Sequence, residues 1–185
     1  MKIRNTEDSF GLVTILIHWI MAIIIIGLFV LGKYMMDLDY YDSNYHDAPW
    51  WHKSFVLLVA ILFLLRLLWR LNNTAVKHVL SSKKYEIKLA KTMQTSLYIL
   101  IFTCCISGVL ISTAEDAGIS FFDWFKLPAF ISQGKQQAEL AGEIHEYTTF
   151  ALIVLAVFHA LAALKHHFLD KDKTLIRILT TRGKT

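Results

Sequence analysis

Four long apolar runs dominate the pattern of hydrophobic and polar positions along the chain. The first extends over 20 residues from Leu12 to Leu31 and is interrupted only by Thr14, His18 and Gly27. As a helix it would be about 30 Å long, which is the thickness of the hydrocarbon core of a bilayer. No alternation typical of a β-barrel is visible, so transmembrane helices are predicted. The expected helices cover about 11–34, 52–71, 89–112 and 144–168.

The overall composition agrees with a membrane protein. Of the 185 residues, 55% are hydrophobic and only 18% are charged, and the mean hydropathy is +0.46. A soluble domain would carry more charge. The first run is too long for the apolar region of a secretory signal peptide, and no A-x-A-like cleavage site follows it. The sequence therefore predicts an all-α integral membrane four-helix bundle that forms one domain over residues 1–185, with both prolines outside the helices.

Basic residues concentrate on one side of the predicted helices. The N-terminal arm, the end of the second helix, the link to the third helix and the C-terminal tail hold 15 of the 19 lysines and arginines. The other two links hold four bases and ten acidic residues. By the positive-inside rule, both termini are expected in the cytoplasm. The net charge of +4 then reflects contact with the lipid bilayer, and no nucleic-acid site is predicted.

Histidine is the informative residue type, because ionisable side chains in membrane helices are rare and tend to be functional. Four of the eight histidines lie in or at the edge of apolar runs, namely His18, His52, His145 and His159. His145 and His159 are fourteen residues apart, close to four helical turns, so both rings face the same side of the fourth helix. With alternating helix directions, His18 matches His159 in depth, and His52 matches His145.

Two neutral imidazoles on facing helices are what a six-coordinate b-type haem requires, and helix-bundle cores are a usual place for such sites. The depth matching predicts two haems b per chain, an inner one on His18 and His159 and an outer one on His52 and His145. The two would form an electron path across the bilayer. The absence of a C-x-x-C-H sequence excludes covalent c-type attachment. The alternative is that each histidine is an ordinary hydrogen-bonded core residue.

An arginine interrupts the second apolar run. Arg66 lies fourteen residues after His52, so it shares the His52 face, at the expected depth of the inner haem. An inward guanidinium at that depth is a natural partner for a haem propionate. The alternative is that the side chain extends to the cytoplasmic headgroups.

The remaining histidines carry weaker signals. His166 lies seven residues beyond His159 on nearly the same face, which makes it a candidate for a hydrogen bond to a quinone carbonyl or a propionate. An interfacial histidine among basic residues is the alternative, and Lys165 beside it is expected to extend to the headgroups. His46 and His78 lie in links and are expected to be solvated.

Six segments, in their order and spacing, resemble the bacterial cytochrome b561 family over nearly the whole chain. They are LIHW (Leu16–Trp19), YYDSNYHDAPWWHKS (Tyr40–Ser54), RLLWR (Arg66–Arg70), ISGVLIST (Ile106–Thr113), GEIHE (Gly142–Glu146) and HALAALKHHFLDKDKTLIR (His159–Arg177). The resemblance implies a small di-haem b cytochrome of the bacterial cytoplasmic (inner) membrane, with the four paired histidines on the family's axial-ligand positions. Relatives often have a histidine where this chain has Gln94, so no proton or quinone role is carried over to that position.

The function that the resemblance implies is electron transfer linked to the quinone pool, with ubiquinone as a candidate second cofactor. A superoxide:ubiquinone oxidoreductase is one alternative. Superoxide is an anion that a positively charged surface would collect, so the otherwise acidic outer links would need a local basic pocket formed by Lys53, Lys126 and Lys135. Superoxide-dependent quinone reduction by purified protein would identify it. A membrane anchor is the other alternative, either as a cytochrome b subunit for a periplasmic electron donor or acceptor, or with purely structural histidines. The outer link, about 113–143, is expected to lie on the surface as an amphipathic segment where a partner docks.

The charge distribution generates a prediction about orientation. A reporter fused after Thr185 should show cytoplasmic behaviour, and a cysteine placed near Gly118 should react with an impermeant thiol reagent from outside. The parent chain, which keeps Cys104 and Cys105 in the third helix, is the control for background labelling. The opposite pattern of both readouts would invert the assignment of inner and outer histidine pairs.

Overall fold

The computed structural model describes residues 2–77, 79 and 83–181, and the chain in these ranges is mostly helical. Four of its helices are long and apolar enough to cross a membrane. The elements in chain order are α1 (Leu12–Met36), α2 (Asp47–Leu71), α3 (Lys84–Thr113), β1 (Ile119–Phe121), β2 (Phe125–Leu127), α4 (Lys135–Phe168) and α5 (Thr174–Leu179). His78, Arg182 and Lys184 lie outside the described residues.

The long helices expose apolar side chains along most of their length. In the most apolar 18-residue window of each helix, no more than 22% of the residues are buried. Ile23, for example, is 68% exposed. In water, apolar surface of this extent would be a site of aggregation, whereas lipid tails solvate it and the helices satisfy their own backbone groups. The chain is therefore a multi-pass membrane protein.

The helices extend beyond the apolar runs at their polar ends. α2 begins at Asp47 rather than near residue 52, α3 at Lys84 rather than near 89, and α4 at Lys135 rather than near 144. Hydropathy alone misses these turns because their residues are polar although their backbone is helical. Pro49, expected outside the helices, lies in the first turn of α2, where a proline has no helical N–H to lose.

The predicted all-α fold holds for most of the described chain, but the link between α3 and α4 contains two short strands that were not predicted. There, β1 and β2 form an antiparallel hairpin in which Ile119 lies opposite Leu127 and Phe121 opposite Phe125. The turn residue Asp123 has a positive φ of 58°, and its carboxylate accepts a hydrogen bond from Ser120. Asn and Asp side chains tolerate this conformation and often bond to neighbouring backbone or hydroxyl groups in turns.

The hairpin packs on the first turns of α2 instead of lying free on the surface. Ser54 is fully buried; its hydroxyl donates to the Ser120 carbonyl and accepts from the Phe122 N–H, both at 3.2 Å. Ile119 and Phe121 are buried against Leu57 of α2. The link predicted as an amphipathic outer segment thus contains a hairpin whose first strand buries Ile119 and Phe121, while Phe125 of the second strand is exposed.

This packing identifies the best position for the labelling cysteine proposed above. A Cβ added at Gly118 would lie only 2.7 Å from Lys126 Cε and 2.8 Å from the Leu127 carbonyl oxygen. The neighbouring Ala117 is exposed, so Ala117→Cys is the variant to label.

Packing divides the chain into two units, which are described separately. The His18 unit comprises residues 1–21, 62–98 and 154–185, as far as these are described. In it, Asn5 Oδ1 accepts hydrogen bonds from Gly11 N and Thr14 Oγ1, and Trp19 Nε1 donates to the Ile178 carbonyl at 2.9 Å. The N-terminal arm and the tail are thereby tied to α1.

The His52 unit comprises residues 22–61 and 99–153 and contains the hairpin. Hydrogen bonds from the hairpin to α2, and from Gln137 of α4 to the Leu110 carbonyl of α3 at 2.8 Å, hold it together. That the whole chain forms one domain remains a prediction.

Candidate functional site

The His52 unit contains the first of two histidine pairs. The ring centroids of His52 on α2 and His145 on α4 are 6.4 Å apart, with an angle of 74° between the ring planes. His145 Nδ1 lies 3.1 Å from the Cys104 carbonyl oxygen and 3.1 Å from Ser107 Oγ, both on α3. Because a carbonyl only accepts, Nδ1 carries the proton and Nε2 keeps a free lone pair. His145 is thus held in the tautomer that a metal ligand needs.

Glycines make room for both rings of this pair. A Cβ added at Gly32 of α1 would lie 3.3 Å from His52 Cε1, and one at Gly108 of α3 would lie 3.3 Å from His145 Cε1. Both distances are shorter than ordinary van der Waals contact between carbon atoms. His52 Nδ1 is buried and has no hydrogen-bond partner among the described residues.

The His18 unit contains the second pair. The ring centroids of His18 on α1 and His159 on α4 are also 6.4 Å apart, at an interplanar angle of 65°. The partly buried Arg66 of α2 reaches this pair, with Nη2 3.3 Å from His18 Nδ1. Its Nε donates to the Tyr98 hydroxyl at 3.0 Å. Arg66 therefore lies at the His18 ring, and its role toward a haem propionate stays a prediction.

The contact between Arg66 and His18 constrains how His18 can act. A guanidinium only donates hydrogen bonds, so His18 Nδ1 accepts and the ring proton is on Nε2. Binding of a metal through Nε2 requires that proton to move to Nδ1 and the guanidinium to leave Nδ1. The bond to Tyr98 involves a different nitrogen of Arg66 and is unaffected, so the freed donor would remain close to the pair.

His166, the sixth candidate, lies in a cluster of charged side chains. Its Nδ1 is 2.8 Å from Asp170 Oδ2 and 3.1 Å from Asp172 Oδ2. Lys165 Nζ lies 2.9 Å from Glu86 and 2.7 Å from Asp170, and the expectation that Lys165 extends to the headgroups stays a prediction. The carboxylates lie beside Nδ1 of His166, which makes no hydrogen bond among the described residues. A role of His166 toward a quinone or a propionate stays a prediction.

Several site residues could not be found from histidine spacing alone. They are Gly32, Tyr98, Ser107 and Gly108, together with the Cys104 carbonyl. The adjacent small residues Ser107 and Gly108 inside an apolar run were the available signal, because a small residue in a membrane helix often marks a close approach. Tyr98 gave no such signal.

Comparison with known proteins gives the family. A family model described as prokaryotic cytochrome b561 matches residues 9–181. The chain belongs to this family. It is 41% identical over 179 residues to cytochrome b561 homolog 2 of Escherichia coli (strain K12), a match that covers 97% of this chain and 95% of that protein. It is 24% identical over 175 residues to cytochrome b561 homolog 1 of the same organism, covering 95% and 99%.

Membership confirms the resemblance seen in the six sequence segments and implies a membrane electron-transfer protein with b-type haem. The histidine pairs fit such a group. A metal–nitrogen bond is about 2.0 Å long, and the nitrogen lies about 1.1 Å from the centroid of its imidazole ring. A metal atom bound between two imidazoles would therefore separate their centroids by about 6 Å. The observed centroid distance of 6.4 Å leaves space for one metal atom between the rings. The tautomer of His145 and the room left by the glycines agree with this fit.

The role of the glycines can be tested within one helix. Gly32→Val places a branched side chain against His52, so the b-type haem component that depends on His52 should be retained about tenfold less tightly. Gly27→Val is the matched control, since nothing lies within 4 Å of a Cβ at Gly27 of the same helix. Haem content and the reduced absorption spectrum of the purified variants measure the effect. Equal spectra and haem content in both variants would show that His52 needs no such space.

Proposed function

We propose that this protein carries electrons across the bacterial cytoplasmic membrane through two non-covalent haems b and exchanges them with the quinone pool. His18 and His159 would hold one haem, and His52 and His145 the other. The observation that supports this is the presence of two histidine pairs, each contributed by two helices and each with a centroid distance of 6.4 Å. A haem held there would supply a reversible one-electron carrier.

The residues around each pair have distinct tasks. The Cys104 carbonyl and Ser107 orient the His145 ring and hold the proton on Nδ1, which keeps Nε2 available. Arg66 supplies a positive charge at the His18 pair, and Tyr98 fixes the position of that charge. A guanidinium released from His18 Nδ1 would be free to bind a propionate with two parallel hydrogen bonds.

We place both termini in the cytoplasm on the basis of the charge distribution, which makes the His18 pair the inner pair and the His52 pair the outer one. Ubiquinone is the proposed membrane partner, with His166 as the candidate donor to a quinone carbonyl. A soluble donor or acceptor would meet the protein on the periplasmic side.

The overall charge of the outer links does not favour superoxide as the substrate. Their ten acidic residues are all exposed, and Lys135, one of the three bases suggested for a local funnel, lies 3.5 Å from the carboxylate of Glu139. Superoxide has no ring or apolar surface to hold it at a local site, so its collection would depend on long-range attraction to positive charge, and it would first meet this acidic surface.

The first test of the proposal is haem stoichiometry with site separation. Purified protein should contain two haems b per chain by pyridine haemochrome, all released by acid–acetone. His18→Ala and His159→Ala should remove one spectral component, and His52→Ala and His145→Ala the other, because the sites share no ligand. His46→Ala, which changes an exposed histidine outside both pairs, should keep both haems.

One haem per chain would refute the proposed pairing. Loss of the same spectral component in His18→Ala and His52→Ala would show that the pairs are assigned wrongly. Complete retention of haem in all four variants would leave the histidines as structural residues.

The second test concerns Arg66. A nearby cation favours the reduced iron, so Arg66→Met should lower the midpoint potential of the haem on the His18 pair by an amount on the order of tens of mV. The unpaired propionate should also weaken haem retention. Arg66→Lys keeps the charge without the planar fork and should give an intermediate value. Tyr98→Phe keeps the charge and removes only the hydroxyl that fixes it, so its shift should be the smallest.

A redox titration that resolves both haems measures these changes, and the haem on the His52 pair serves as the internal reference. Unchanged potential and occupancy in Arg66→Met would mean that the contact with His18 has no electrostatic consequence for haem.

A further inference from the structure

The His52 unit contains an open cavity of about 500 Å³ beside the start of the hairpin, a size in the range of small-molecule sites. Gly118, Ile119 and Ser120 close the cavity on the hairpin side. Much of the remaining wall is formed by two aromatic side chains (Tyr45 and Trp50), two thioethers (Met35 and Met36) and two basic side chains (His46 and Lys53).

The charge of the cavity wall is opposite to that of its surroundings. The two outer links carry ten acidic residues against four bases, yet none of the ten residues that line the cavity is acidic. Lys53 makes no ion pair with a carboxylate among the described residues. An ammonium group without a counter-ion at the wall of an open cavity can donate a hydrogen bond to an anionic ligand.

The apolar part of the wall favours a flat ligand. Trp50 Nε1 donates to Asp123 Oδ1 at 3.2 Å, which fixes its ring. Tyr45 packs edge-on against His46, with ring centroids 5.2 Å apart. Methionine sulfur makes favourable contacts with aromatic rings and adapts to irregular shapes. Rigid rings beside adaptable thioethers suit a planar conjugated molecule.

The cavity also lies close to a histidine pair of the same unit. On α2, the cavity residue Pro49 lies three residues before His52. On α1, the cavity residue Met35 lies three residues after Gly32, and Gly32 faces the His52 ring. Each step of three residues is about 4.5 Å along the helix axis. A molecule in the cavity would therefore lie near the His52 ring.

We propose that this cavity binds a small, planar, conjugated organic anion, with Lys53 contacting the negative charge and Trp50 and Tyr45 the ring. Binding stands on the cavity alone and does not depend on the proposed function. This is a water-accessible site for a soluble ligand, separate from the candidate quinone contact at His166.

Equilibrium dialysis of naphthalene-2-sulfonate against the full-length, haem-loaded protein in nanodiscs of phosphatidylcholine tests the proposal. This probe is planar, anionic and not redox-active. We expect one saturable site per chain, about tenfold weaker in Lys53→Met, because a hydrogen bond to a charged group is lost. Lys53→Arg should restore binding to within a few-fold of the parent. Lys33→Met, which removes a base of the same unit that does not line the cavity, should leave binding unchanged.

Methanesulfonate, which has the charge without the ring, should not displace the probe. The proposal is overturned by the absence of saturable binding, by equal affinity in Lys53→Met, by equal loss in Lys33→Met, or by displacement with methanesulfonate. Haem content measured on the same samples separates the two proposals. Two haems without probe binding would sink only the cavity site, and saturable binding to a protein with fewer haems would sink only the proposed pairing.

Discussion

A polar group on a helix in hydrocarbon must find its partner within the protein, because lipid tails offer none. This constraint decides where the polar side chains of the chain lie. Ser107 bonds back to the Thr103 carbonyl at 2.8 Å and also reaches His145. Trp69 donates to Thr14 at 3.0 Å, and Arg66 bonds to Tyr98 and His18. The polar atoms thus form small networks between helices, and two of these networks include a histidine of a pair, His145 in one and His18 in the other.

The same constraint explains which parts of the site the sequence could predict. The fourteen-residue spacings in α2 and α4 are reliable because backbone hydrogen bonds fix helical geometry, so faces follow from counting. A histidine or arginine in an apolar run is conspicuous for the reason given above. Tyr98 is not conspicuous in the sequence, because tyrosine is common in membrane helices. Only the position of Arg66 gives the Tyr98 hydroxyl a role.

The hairpin and the charged cluster near the end of α4 could not be predicted in the same way. Strands of three residues have little stability of their own, and β1 and β2 depend on the buried Ser54 hydroxyl and on Leu57, which are distant in sequence. The ion pair of Lys165 with Glu86 at the start of α3, at 2.9 Å, could not be predicted because the two residues are distant in sequence. Both features depend on tertiary contacts.

The two histidine pairs have the same ring separation but different electrostatic surroundings. A guanidinium lies 3.3 Å from His18, whereas the groups beside His145 are a carbonyl and a hydroxyl, which are neutral. Lys53 follows His52 in the chain, but its side chain is exposed, where water screens its charge. A fixed cation stabilises the more reduced form of a nearby iron, and a hydrogen bond to Nδ1–H strengthens donation by the ligand, which stabilises the more oxidised form. If the two pairs hold haem as proposed, these surroundings would give the two irons different potentials, and the asymmetry would reside in Arg66 and the Cys104 carbonyl rather than in the histidines themselves.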